Sequence, residues 1–102
     1  MPNPIIFISY VKQETGLDFV AEYKFHPKRK WKIDYFCIEY GIALEVEGGA
    51  YTQGRHTRGK GFINDMEKYN NITAMGYKLL RVTPDQLLKQ STIEIIKQTA
   101  NI

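Results

Sequence analysis

A chain of 102 residues is the size of one compact domain, and its 43% hydrophobic, 13% aromatic and 25% charged residues exclude a disordered polar tract. A net charge of +3 with a pI near 9.0 is too mild to mark a partner by itself, so the local placement of charge must carry that argument. The single cysteine, Cys37, excludes an intramolecular disulfide framework and a multi-cysteine zinc site, and points to a reducing, cytoplasmic setting with Cys37 as a small buried apolar residue.

Residues 1–102 read as a single domain, with no repeat, linker or low-complexity tract. The first element is a helix, with Asn3 as cap, Pro4 at the first helical position and an end near Gly16. Its apolar run, 5–11, is too short to cross a bilayer and has no basic leader, so neither a membrane anchor nor a signal peptide is expected.

From Phe19 the residues Phe19, Ala21, Tyr23 and Phe25 alternate with Val20, Glu22, Lys24 and His26, the period-two pattern of a half-buried strand that Pro27 ends. A second strand is predicted over 31–37 and a third over 42–47, with a turn at Glu39, Tyr40 and Gly41, giving an antiparallel three-stranded meander. Glycines 48, 49, 54, 59 and 61 make 48–60 a loop long enough to suspect function. Phe62, Met66, Tyr69 and Thr73 then recur at helical spacing until Gly76.

A buried strand over 77–82 follows, and two short terminal helices complete the chain, each opened by a capping box, Thr83 with Gln86 and Ser91 with Glu94. The expected fold class is α/β: helix, three-stranded antiparallel meander, helix, strand and helix around one mixed sheet.

Two basic clusters stand out. One runs Lys24, Phe25, His26, Pro27, Lys28, Arg29, Lys30, Trp31, Lys32, and the other holds Arg55, His56, Arg58 and Lys60. Between them lie the acids. Glu45 and Glu47 are two apart on one strand and leave the same face, while Asp34 belongs to the neighbouring strand, where cross-strand Cβ atoms lie roughly 5 Å apart. Three converging carboxylates repel one another unless a hard cation neutralises them, so Mg²⁺ or Mn²⁺ is the expected occupant. A bland alternative leaves these acids on an exposed sheet face, paired with Lys24 or Lys32. Gly48 and Gly49, which let a backbone or a phosphate approach closely, weigh against it.

Ile33-Asp34-Tyr35, a turn, then Ala43-Leu44-Glu45-Val46-Glu47-Gly48-Gly49 resembles the core motif of the PD-(D/E)XK nuclease superfamily. The likeness continues through Arg55 to Gly61, Asp65, Lys68, Tyr69, Gly76 and Leu79-Leu80-Arg81-Val82, and is strongest to small stand-alone endonucleases related to the very-short-patch repair enzymes, some of them carried by phages. The resemblance implies a restriction-endonuclease-like core and a Mg²⁺- or Mn²⁺-dependent endodeoxyribonuclease. It makes Asp34 the first metal-binding acid and Glu45 the second. Glu47 stands where the motif usually carries lysine, so another cation must take the role of steadying transition-state charge.

Lys68 is the first candidate for that cation, because a helix packed on the sheet can return its side chain to the acids. Asp65 is an auxiliary candidate that, like Lys68, can border the site, although an exposed ion pair between these two residues three apart is the favoured reading. Glu22, on the first strand, is a candidate fourth carboxylate, and His56 a candidate base or phosphate ligand. Lys28, Arg29, Lys30, Lys32, Arg55, Arg58 and Lys60 are candidate contacts to the DNA backbone, since an acidic centre needs neighbouring cations to hold a polyanion. Trp31 reads as core packing ahead of a base-stacking surface.

The leading expectation is therefore a DNA endonuclease in which Asp34, Glu45 and Glu47 hold one or two divalent ions. Its alternative is a catalytically inert nucleic-acid binder on the same fold. At this size little surface remains for reading bases, so structure-directed cutting of branched or junction DNA is expected over sequence-specific cutting. The resemblance adds a homodimer as one way to cut both strands, although no interface is readable in the residues.

Overall fold

Asn3 accepts a hydrogen bond from the Ile5 amide at 2.9 Å, and Pro4 follows it at the first helical position, so helix α1 (Pro4–Thr15) begins where its free amides are satisfied. It stops at Gly16, whose φ of 79° is the left-handed geometry that closes a helix. The computed structural model describes residues 3–48 and 60–102.

Strands β1 (Val20–Lys24), β2 (Lys32–Cys37) and β3 (Ile42–Val46) form an antiparallel meander, helix α2 (Lys60–Ala74) crosses over, and β4 (Lys78–Val82) pairs with β3 in parallel. The sheet order is β1-β2-β3-β4. A parallel partner requires a crossover connection, and α2 supplies it. The chain closes with a 3₁₀ turn (Pro84–Gln86) and helix α3 (Gln90–Ala100). This is the α/β order expected from periodicity and capping.

The end of the chain differs from expectation in detail. Residues 84–86 form a single 3₁₀ turn, so there is one terminal α-helix among the described residues. The expected capping box of Thr83 and Gln86 opens the turn, with the Thr83 amide donating to Gln86 Oε1 at 3.0 Å. Ser91 does not cap α3, which starts one residue earlier with Lys89 at the cap position, while Glu94 accepts from Gln90 Nε2 at 2.8 Å.

Each face of the sheet carries its own core. Phe7 and Val11 of α1 and Ile93, Ile96 and Ala100 of α3 pack with Tyr35, Cys37, Ile42 and Leu44. On the opposite face Ile72 of α2 packs with Ile33, Phe36, Ala43, Phe25 and Trp31. Strand β3 is buried on both sides, which is why its residues 42–44 are apolar without alternation.

Two expectations about faces are corrected. Phe19, Ala21, Tyr23 and Phe25 do not share one face: Phe19 and Ala21 join the first core, Tyr23 and Phe25 the second. The alternation slips at Glu22, whose φ of 50° is left-handed. The inward stripe of α2 is also not Phe62, Met66, Tyr69 and Thr73. Phe62 and Met66 are exposed, and the helix turns Lys68, Tyr69 and Ile72 toward the sheet. The reason is polar: α2 lies over the carboxylates, so part of its inner face is built to meet charge. Among the described residues no helix is long and apolar enough to cross a membrane.

Candidate functional site

The pairing of Tyr35 with Leu44 places Asp34 and Glu45 opposite each other on the α2 side of the sheet. Their carboxylates are held crosswise. The Asp34 amide donates to Glu45 Oε2 at 2.9 Å, and the Val46 amide donates to Asp34 Oδ2 at 2.8 Å. Each acid is thus fixed by the backbone of the other's strand, which removes rotamer freedom from both.

Glu45 has a side chain only 5% exposed, and Lys68 of α2, 13% exposed, reaches its Oε1 with Nζ at 2.6 Å. Burial pushes the Glu45 carboxyl above its ordinary range, the hydrogen bond from Lys68 opposes that rise, and the charge of Asp34 adds to it. Burial likewise raises the Tyr35 phenol, with Asp34 adding a repulsive charge. The Glu45 shift describes an acid in a low-dielectric place, with one cation already provided.

Glu47 faces the same helix but is committed elsewhere. Its Oε1 accepts from Arg81 Nε at 2.5 Å and from the Tyr69 hydroxyl at 2.7 Å, and the Arg81 guanidinium lies 4.6 Å from the centre of the Tyr69 ring. Burial, then the hydrogen bond to Glu47, lifts the Tyr69 phenol beyond its usual range. Burial opposes the charge on Arg81, yet Glu47 outweighs it and raises the guanidinium. Arg81 is the parallel-strand partner of Glu45 and so shares its face.

Of the sequence candidates, the structure brings Asp34, Glu45 and Lys68 together, with Glu47 alongside but bound to Arg81. The expected three-acid convergence is not formed: among the described residues no group of three or more His, Cys, Asp or Glu is arranged to hold a metal ion. Lys68 serves Glu45 and not Asp65, which is exposed. Glu22 turns outward and meets Lys32 Nζ at 3.6 Å, so neither joins the acids. Lys28 and Lys30 are exposed on the turn before β2, and Lys60 is the first residue of α2. The candidates Arg55, His56 and Arg58, and most of the glycine-rich loop, lie outside the described residues.

In the sequence Tyr69 and Arg81 stand out only within the motif likeness, and Tyr69 in the helical stripe, with no role among the acids. The available signal was a lone arginine in the apolar run Leu79-Leu80-Arg81-Val82, which a strand tolerates only if that arginine has a partner.

The pair Asp34 and Glu45 suits a hard divalent cation. Mg²⁺ is commonly bound through one or two carboxylates, keeps several waters and completes its shell with substrate phosphate. Asp34 uses Oδ2 on the Val46 amide, and Oδ1 accepts no hydrogen bond from the described residues. A carboxylate offers about four lone-pair sites, so Glu45 retains acceptor capacity beside Lys68 and the Asp34 amide. Comparison with protein-family models, with curated proteins and with solved structures found no match.

Proposed function

We propose that the chain is a metal-dependent DNA endonuclease, built on the α/β core to which its motif bears a resemblance. The observation that carries the reading is the constellation of Asp34, Glu45 and Lys68: two half-buried to buried acids locked across adjacent strands, with a lysine bonded at 2.6 Å to the deeper one. Structural sheet faces do not need such an arrangement, since a buried ion pair is weak evidence for stability.

Asp34 and Glu45 are the residues that would hold Mg²⁺ or Mn²⁺. The chemistry that such an ion would supply when bound is Lewis-acid polarisation of a phosphate and neutralisation of charge on a leaving oxygen. Lys68 orients Glu45 and opposes the rise that burial imposes on its carboxyl. Its ammonium has three donors, of which Glu45 takes one, so it can also meet charge on a phosphate oxygen. Arg81 and Tyr69 hold Glu47 away from the pair and limit like-charge repulsion beside it. Lys28 and Lys30 supply cations that position a polyanion without taking part in chemistry.

The alternative of a nucleic-acid binder without chemistry draws on one specific observation, the capture of Glu47 by Arg81, which leaves two carboxylates where three were expected. Purified protein incubated with linear, flapped and four-way-junction DNA in Mn²⁺ separates the two readings. The endonuclease reading expects cleavage of at least one substrate, abolished by EDTA and by Asp34→Asn. Binding without any metal-dependent cleavage would leave the inert reading.

A further inference from the structure

Between the turn before β2 and α2 lies an open pocket of about 430 Å³, lined by Lys28, Arg29, Lys30, Trp31 and Asn64. Its size falls within the range of small-ligand clefts, about 300–1,000 Å³. Asn64 is four residues before Lys68 on α2, so the pocket sits one helical turn, roughly 6 Å along the axis, from the lysine that holds Glu45.

The walls are fixed. His26 Nδ1 accepts from the amides of Lys28 at 3.1 Å and Arg29 at 2.9 Å, which sets the turn before β2. Trp31 is 9% exposed and packs in the core, with its ring parallel to Phe25 and its Nε1 donating to Asn64 Oδ1 at 3.1 Å. The Arg29 guanidinium lies over the Trp31 ring, 3.9 Å from its centre.

Both ends of the guanidinium are occupied. Nη1 donates to Glu67 Oε2 at 3.1 Å and Nη2 to Asn64 Oδ1 at 3.0 Å. Two of its five N–H donors are thus spent on protein and the Glu67 carboxylate offsets its charge, so Arg29 is less available to grip a phosphate than a free arginine. Its outer planar face is open to a ligand, on a side chain 44% exposed. A guanidinium plane held flat against an aromatic ring is a stacking surface for an unpaired base, and the adjacent Lys28 and Lys30 match the phosphates that flank such a base.

We propose that Arg29, laid over Trp31 and pinned by Asn64 and Glu67, is a stacking platform for an unpaired nucleobase, which makes DNA with a single-stranded or frayed segment the substrate class. The proposal rests on the endonuclease reading for its biological sense but not for its test. The platform holds one base out of the duplex while the strand continues along α2 to Lys68. A fully paired duplex has no base to offer it, so intact duplex binds more weakly than flapped DNA of equal charge.

The test is done in EDTA, where cleavage is absent. Labelled duplexes ending in a short thymidine flap, or in the same flap made of abasic units, are titrated with the full chain by fluorescence anisotropy. Emission of Trp31, the chain's one tryptophan, gives a second channel. The base-bearing flap is expected to bind on the order of tenfold tighter than the abasic flap and to change Trp31 emission. Arg29→Lys, which keeps the charge and loses the plane, should erase that preference while leaving the salt dependence unchanged. Equal affinity of the parent protein for the two flaps overturns the proposal. So does an Arg29→Lys protein that keeps the preference, or an Arg29→Ala protein whose only change is a salt slope shallower by about one, the sign of a phosphate contact. A protein that prefers the base-bearing flap yet cuts nothing in Mn²⁺ keeps the platform and loses the endonuclease reading. One that cuts but shows no preference does the reverse.

Discussion

Glu45 sits opposite a second acid, almost out of water, and its carboxyl is lifted above the ordinary value of 4.5, first by burial and then by the charge of Asp34, against the pull of Lys68. The folded chain therefore binds this proton more tightly than the unfolded chain does. The linkage has a definite sign: the contribution is fully favourable below the ordinary glutamate value and is lost as pH rises through the higher folded-state value. Urea unfolding of the parent and of Glu45→Gln, without metal, should show the parent losing stability relative to the variant as pH rises through that window. A difference that stays flat, or grows with pH, contradicts the buried-acid account. A divalent cation reverses the logic by favouring the ionised form.

At the scale of elements, α2 decides the character of the site. Lys68 and Tyr69, adjacent on the helix, reach Glu45 and Glu47 respectively, and Asn64 one turn earlier organises Arg29 and Trp31. The helix thus places one cation on the acids and one acceptor on the basic turn. Lys68→Ala is expected to cut single-turnover cleavage on the order of a hundredfold at saturating protein, the typical cost of one preorganised stabiliser of charge. Without metal it should also lower stability by about 3–5 kcal/mol, because it leaves Glu45 buried and unpaired. Cleavage at the parent rate would remove Lys68 from the chemistry.

The order of elements was legible because local signals mark each boundary: Asn3 and Pro4 open α1, Gly16 closes it, and Gly76, at a φ of 84°, ends the α2 connection to β4. The pairing of Asp34 with Glu45 was legible too, since a meander puts neighbouring strands in register. The face of α2 was not. Its apolar stripe pointed to Phe62 and Met66, but the carboxylates beneath the helix are met by Lys68 and Tyr69, and a buried carboxylate needs such partners more than the helix needs its apolar stripe covered. The fate of Glu47 was also hidden, because its partner Arg81 is 34 residues away and no local pattern announces the contact. The slip at Glu22 depends on a positive φ at a residue type that rarely adopts one, which composition does not reveal.

Across the whole molecule, two apolar cores clamp a four-stranded sheet, and the charges that matter gather where α2 leaves the second core. There Asn64, which holds the basic turn, and Lys68, which holds Glu45, are one helical turn apart. The modest net charge of +3 fits this division, because on the proposed reading local cations rather than a global field would hold a polyanion. Both the endonuclease reading and the distribution of charge depend on Asp34 and Glu45 acting as one divalent-cation site. Calorimetric titration of the full chain with Mn²⁺, repeated on Asp34→Asn, tests that claim most directly. Saturable binding by the parent and its loss in the variant are expected, whereas equal binding by both, or none by the parent in the presence of DNA, would rule out a cation site on these two acids.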